Sequence, residues 1–192
     1  MFEELSLHIL DIAMNSLAAG AHTVRIMVAE HARRDRLTIR VRDDGRGMDK
    51  AMLARVLAGW VTTKRFRKKS IGLGLALLRQ TAEMCGGGFH VRSTPGAGTT
   101  VTATMRLLHV DLPPVGDLNA TVLALCAASP DVDVQLDYLS DTGRFHFSSK
   151  ELAKKKAPGR SGRYWGGEEK MNYEPGRTQK VESESAAAGC LA

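Results

Sequence analysis

The sequence predicts an α/β fold in which strands carry one covered and one wet face and apolar helices do the covering. Two observations point there. Val24, Ile26 and Val28 form one apolar row at period two, and Leu37, Ile39 and Val41 form another, with Thr38, Arg40 and Arg42 on the opposite face. Alternation of this kind marks strands packed on one side only. Residues 3–19 read as a helix that is apolar on almost every side, through Leu5, Leu7, Ile9, Leu10, Ile12, Met14 and Leu17. Such a helix must be buried against something.

One stripe interrupts that helix, at Glu4, His8, Asp11 and Asn15, whose spacings of three and four share a face. It faces solvent or lines a cavity, and the apolar remainder of the helix favours the cavity. After residues 19–21 come the two strands, joined across a polar turn at 31–35, which makes them antiparallel. Asp43 continues the inward row of Leu37, Ile39 and Val41, so its carboxylate is expected on the covered side. There it needs a partner, because a lone buried charge is costly. The plain alternative is a tight glycine turn, Asp44-Gly45-Arg46-Gly47-Met48, capped by the aspartate.

Residues 49–57 suggest a short helix capped by Asp49, and 60–70 a basic loop with five cationic residues between 64 and 69. Ile71-Gly72-Leu73-Gly74-Leu75 opens a helix that runs through Met84 and stops at Gly86-Gly87-Gly88. Glycines at a helix start let a phosphate reach its backbone N–H groups. A glycine pair is weak by itself; the pattern is neither a P-loop nor a good dinucleotide fingerprint. Residues 89–93 and 99–107 form a second strand pair, in which Thr99 shares the parity of Val101, Ala103 and Met105. Its hydroxyl is expected to face the same interior as Asp43, where the two could read a flat polar ring. A helix over 115–128 and a hairpin over 132–149 follow, and 157–192 has the composition of a disordered tail.

Composition excludes several classes. The net charge of +6 invites a nucleic-acid reading, but no aromatic interleaving, zinc spacing or recognition helix supports it. No apolar run approaches the length of a membrane span, and the acidic start is unlike a signal peptide. Three scattered cysteines show no ligand spacing, which suits a reducing cytoplasm.

Several segments, in order, resemble the gyrase, Hsp90, histidine-kinase and MutL (GHKL) ATPase superfamily. Asp11-Ile12-Ala13-Met14-Asn15-Ser16 with Ala19-Gly20-Ala21 resembles its N-box, in the MutL-like form. Asp43-Asp44-Gly45-Arg46-Gly47-Met48 resembles the G1 box, and Gly72-Leu73-Gly74-Leu75 the G2 box. Gly98-Thr99 resembles the last strand's threonine motif, and Trp60-Val61-Thr62-Thr63-Lys64 the entry to the ATP lid. The match spans roughly 5–107.

The resemblance implies a Bergerat-type ATP-binding fold, an α+β two-layer sandwich with helices on one face of a mixed sheet. On that basis the chain divides into an ATP-binding domain at 1–108, a helix-plus-hairpin extension at 109–156, and the tail. The implied cofactors are ATP and Mg²⁺. Asp43 would accept from the adenine amine, with a water near Thr99, and Asn15 would hold the magnesium. Gly72 and Gly74 would admit the phosphates to the helix start, and Leu73, Leu75, Gly45, Gly47 and Met48 would also belong to the cofactor site. Thr63 and Lys64 would belong to the lid, Lys64 as a phosphate contact. Asp11 stands where hydrolysing relatives carry glutamate, and is the candidate base; Asp44 replaces the commoner asparagine and adds a charge near the pocket.

The 192 residues show no helical hairpin or phosphoacceptor box of the sensor-kinase kind and no transducer domain. A lone catalytic domain resembles the anti-sigma-factor serine kinases and small standalone histidine-kinase-like ATPases. The expectation is a regulatory kinase, with a Ser/Thr or His acceptor, or a slow ATPase acting on an unidentified protein partner, a homodimer staying open. The alternative is a nucleotide-gated interaction module without catalysis.

Overall fold

The helix foreseen at the N-terminus is α1 (Leu5–Ala18), and its core-facing stripe is Ile9, Ile12, Ala13 and Ser16, all buried. The computed structural model describes residues 4–59 and 73–155. The start of α1 has no side-chain cap. Two of its first N–H groups, which a helix leaves without partners of its own, instead donate to the carbonyls of Pro114 and Val115 at 3.0 and 2.8 Å.

Two antiparallel strands follow, β1 (Thr23–His31) and β2 (Arg36–Asp43), joined by a short 3-10 turn at Ala32–Arg34. Next come α2 (Lys50–Gly59) and α3 (Leu73–Met84), then the hairpin β3 (Gly88–Thr94) and β4 (Gly98–Met105). Asp49 caps α2 as expected, accepting from the N–H of Met52 at 2.7 Å. The chain closes with α4 (Leu118–Ala128), β5 (Asp133–Ser140), β6 (Gly143–Ser148) and α5 (Ser149–Lys155). Asp117 caps α4 through the N–H of Ala120.

All six strands form one mixed sheet in the order β3-β4-β2-β1-β5-β6, antiparallel except for the parallel β1–β5 pair. The 132–148 hairpin therefore continues the sheet, with Val24 opposite Val134 and Ile26 opposite Leu136. The apolar rows of β1, β2, β4 and β5 lie on one face, and with the buried residues of α1, α3 and α4 they form a single core. This is the two-layer α/β sandwich that the resemblance implied, and it covers the strands on the face that the alternation predicted. No helix among the described residues is long and apolar enough to cross a membrane.

The α1 stripe is less uniform than its spacing suggested. Asp11 is exposed and Asn15 half-buried, but His8 is 4% exposed and sits in the interior. Leu7 and Met14 are exposed at 49% and 43%, so apolar side chains share the open side of the helix with Asp11. The expected tail at 157–192 lies outside the described residues.

Candidate nucleotide site

Residue parity sends Asp43, the last residue of β2, to the covered side of the sheet, and the structure places it there at 7% exposure. Three donors converge on its carboxylate. The N–H groups of Gly45 and Thr99 donate to Oδ1 at 3.0 and 3.1 Å, and the Ser16 hydroxyl donates to Oδ2 at 2.8 Å. An ionised carboxylate has about four acceptor positions. The set therefore holds Asp43 in one orientation and leaves room for one further donor.

Ser16 is the residue that sequence reasoning missed here. Its signal was present: a polar side chain on the same stripe as Ile9, Ile12 and Ala13 is buried, and a buried hydroxyl requires a partner. Ser93 was missed as well. Its Oγ accepts from the N–H of Met48 at 2.8 Å and lies 2.9 Å from the Thr99 hydroxyl. Thr99 thus meets Asp43 through its backbone, and its hydroxyl is shared with Ser93.

The turn after Asp43 is fastened by close backbone contacts. Gly47 has φ +63°, and a Cβ there would lie 1.9 Å from the Thr94 carbonyl oxygen. A Cβ at Gly98, with φ +93°, would lie 2.0 Å from the Asp43 carbonyl oxygen. Both positions need the left-handed conformation and the missing side chain together. At Gly45 a Cβ would press on Ala19 at 3.0 Å, and the Arg46 N–H donates to the Ala19 carbonyl. The Ala19-Gly20-Ala21 segment and the glycine turn are therefore one packed unit.

Asp44 does something other than charge the pocket. Its Oδ1 accepts from the N–H groups of His22 and Thr23 at 2.7 and 2.8 Å, fixing the start of β1. Burial opposes its ionisation, but the bonds from Thr23 and His22 outweigh it and hold its pKa below the ordinary carboxylate value.

At the other end, α3 begins beside Asp11. A Cβ on Gly74 would lie 2.5 Å from the Cβ of Asp11 and 3.1 Å from its Oδ2. Gly74 is buried at that contact, and Leu75 behind it joins the core. Asn15 stands one turn along α1 from Asp11 and is half-buried. Leu73 is the first residue of α3; Gly72, Thr63 and Lys64 lie outside the described residues. Among the described residues no three His, Cys, Asp or Glu side chains could hold a metal ion together.

The structure thus places a buried carboxylate with one acceptor position left at the end of β2, and the Asp11 side chain against Gly74 at the start of α3. The fold is that of an ATPase domain of the ATP-binding kind. The chain belongs to the family of histidine kinase-, DNA gyrase B- and HSP90-like ATPases, whose model matches residues 1–109; its members are ATP-binding domains.

Two curated relatives agree. Sporulation kinase D of Bacillus subtilis (strain 168) is 32% identical over 97 residues, half of this chain and 19% of that protein. The non-motile and phage-resistance protein of Caulobacter vibrioides is 38% identical over 96 residues, 48% of this chain and 11% of that protein. The chain thus spans less than a fifth of either relative's length. Among solved structures, the Aquifex aeolicus MutL ATPase domain complexed with ADP aligns with a TM-score of 0.44 and 17% identity, over 81% of this chain and 69% of that one.

Proposed function

We propose that the chain binds ATP with Mg²⁺ in this pocket and transfers the γ-phosphoryl group to a side chain of a partner protein, or slowly to water. Asp43 would accept a hydrogen bond from the adenine amine at its remaining position. Asn15 would coordinate the magnesium through its amide oxygen. The ion would take its other ligands from phosphate oxygens and water, as Mg²⁺ commonly does. Gly72 and Gly74 would bring the phosphates to the start of α3, and Thr63 and Lys64 would contribute from the lid.

The observation that carries the enzymatic reading is the contact between Gly74 and Asp11. It sets a carboxylate beside the helix start where the phosphates would lie, within reach of an attacking hydroxyl or water whose proton it could accept. Phosphate release and ³²P transfer by purified protein, wild type against Asp11→Asn, with and without cell lysate, test this. The expected result is Mg²⁺-dependent labelling of one lysate protein, reduced on the order of 100-fold in the mutant. Tight ATP binding with neither turnover nor transfer would contradict it.

A second reading rests on the identity of residue 11. Aspartate is one methylene shorter than glutamate, and a displacement of about an ångström can remove most of a base's contribution. On this reading the domain is a nucleotide-gated interaction module. Partner capture that needs ATP and survives Asp11→Asn would favour it.

A further inference from the structure

The sheet's second face carries a charge pattern that the nucleotide site does not use. Strand pairing aligns Arg92, Thr100, Arg42 and Arg25 in one lateral row across β3, β4, β2 and β1. His90, Thr102 and Arg40 form the next row. Arg36 lies further along β2 with the same parity. All of these arginines, and His90, are exposed. No carboxylate occupies this face on any of the four strands; the face's first acids are Asp133 and Asp137 on β5, both buried.

On this face Asp137 answers Arg25, and each of its carboxylate oxygens already has a partner. Asp137 Oδ2 accepts from Arg25 Nε at 2.6 Å, and its Oδ1 lies 2.8 Å from His146 Nδ1. Asp44, at the rim, is spent on two backbone N–H groups. Among the described residues Arg36, Arg40, Arg42 and Arg92 have no ion-pair partner; Arg40 Nε reaches only the Thr102 hydroxyl, at 3.4 Å. Arg25 and Arg42 are also directly opposite each other. Like charges so placed are destabilising, and a surface shaped for stability would mix the signs.

We propose that this face of the β3-β4-β2-β1 sheet docks an acidic segment of a partner protein. Arg40 and Arg42 stand about 7 Å apart along β2, and neighbouring strands about 4.8 Å apart. Side chains two residues apart in an extended acidic segment have the same ~7 Å pitch. A guanidinium's planar fork grips a carboxylate through two parallel bonds. Phosphates could satisfy the same groups. However, on the four strands this face carries no Phe, Tyr or Trp on which bases could stack, and it puts no helix into a groove. Asp43 and the pocket lie on the opposite, helix-covered side, so an acidic partner seated here would leave the nucleotide site open.

The test uses the full chain and a labelled oligoglutamate peptide, read by fluorescence anisotropy, without nucleotide. Binding should weaken with salt and fall at least about tenfold in Arg40→Glu/Arg42→Glu. A control reversal on the helix layer, Arg55→Glu/Arg79→Glu, changes net charge equally and should retain binding. Arg40→Gln/Arg42→Gln gives a second variant should the reversal fail to fold, with a loss in the same direction. No peptide binding, or an equal loss in the control, would overturn the proposal. So would tighter binding of a short DNA duplex with the same arginine dependence, which would mark a nucleic-acid surface. None of these outcomes depends on ATP, so failure here leaves the nucleotide reading untouched.

Discussion

The two ends of the proposed nucleotide site are built differently. Around Asp43 the parts are fastened by backbone: the Gly45 and Thr99 N–H groups on the carboxylate, and Gly47 and Gly98 pressed against the carbonyls of Thr94 and Asp43. Around α3 the contacts are side chain to helix. Asp11 is exposed, Asn15 is half-buried, and the nearest atoms to a Cβ at Gly74 belong to the Asp11 side chain. The first end is set before any ligand arrives, so binding there costs little ordering. The second rests on the exposed Asp11 side chain, which can yield.

The largest effect should come from breaking the fastened end. Gly47→Ala puts a Cβ into the Thr94 carbonyl at a left-handed φ, and should cost more than about 4 kcal/mol. Thermal melting checks this; a melt within a few degrees of wild type would mean that the turn is not tightly strapped. Gly74→Ala strikes the yielding end. An exposed Asp11 can move, so we expect less destabilisation, about 1–2 kcal/mol, but ATP affinity about tenfold weaker as the start of α3 shifts. Equal losses of stability in the two variants would erase the contrast between the ends.

Ser16→Ala sharpens the comparison from within the rigid end. Without its third donor, Asp43 retains Gly45 and Thr99 on Oδ1, while Oδ2 is free to turn. A lost bond to a charged group is worth about 1.5–3 kcal/mol. ATP affinity should fall about tenfold or more, and ATP should lose part of its advantage over GTP in competition binding. Loss of affinity with selectivity intact would leave Ser16 as packing only.

The smallest effect is a pH dependence. Burial opposes ionisation of Asp137, but its bonds to Arg25 and His146 outweigh it, and its pKa, like that of Asp44, lies below the ordinary value. A carboxyl whose pKa is lower in the folded state stabilises fully above its unfolded pKa of about 4. That contribution disappears as pH falls through the folded value. Denaturant melts should therefore weaken below about pH 4, and Asp44→Asn should flatten part of that slope. An unchanged slope would mean that Asp44 gains nothing from the N–H groups of His22 and Thr23.

Much of this was legible in the chain. Period-two rows gave β1, β2 and β4 their covered face, and parity alone aimed Asp43 inward. Asp49 and the glycines after Met84 marked helix ends correctly. What was not legible depends on tertiary distance. The parallel pairing of β1 with β5 joins segments about a hundred residues apart, and no local pattern encodes it. Only the fold shows Asp44 bonded to the N–H groups at the start of β1. Ser16 and Ser93 carry small side chains whose partners, 27 and 45 residues away, sequence spacing cannot name.

The proposed nucleotide site turns on Asp43 accepting a hydrogen bond from the base of a bound ATP. Isothermal titration of ATP into wild type and Asp43→Asn, each confirmed folded by circular dichroism, measures it directly. The amide keeps the shape of the carboxylate but replaces one acceptor oxygen with a donor. ATP affinity should fall by on the order of 100-fold, since a hydrogen bond to a charged group is exchanged for a donor facing a donor. Equal ATP affinity in a folded Asp43→Asn protein would contradict the account and leave the Asp43 cluster a purely structural knot.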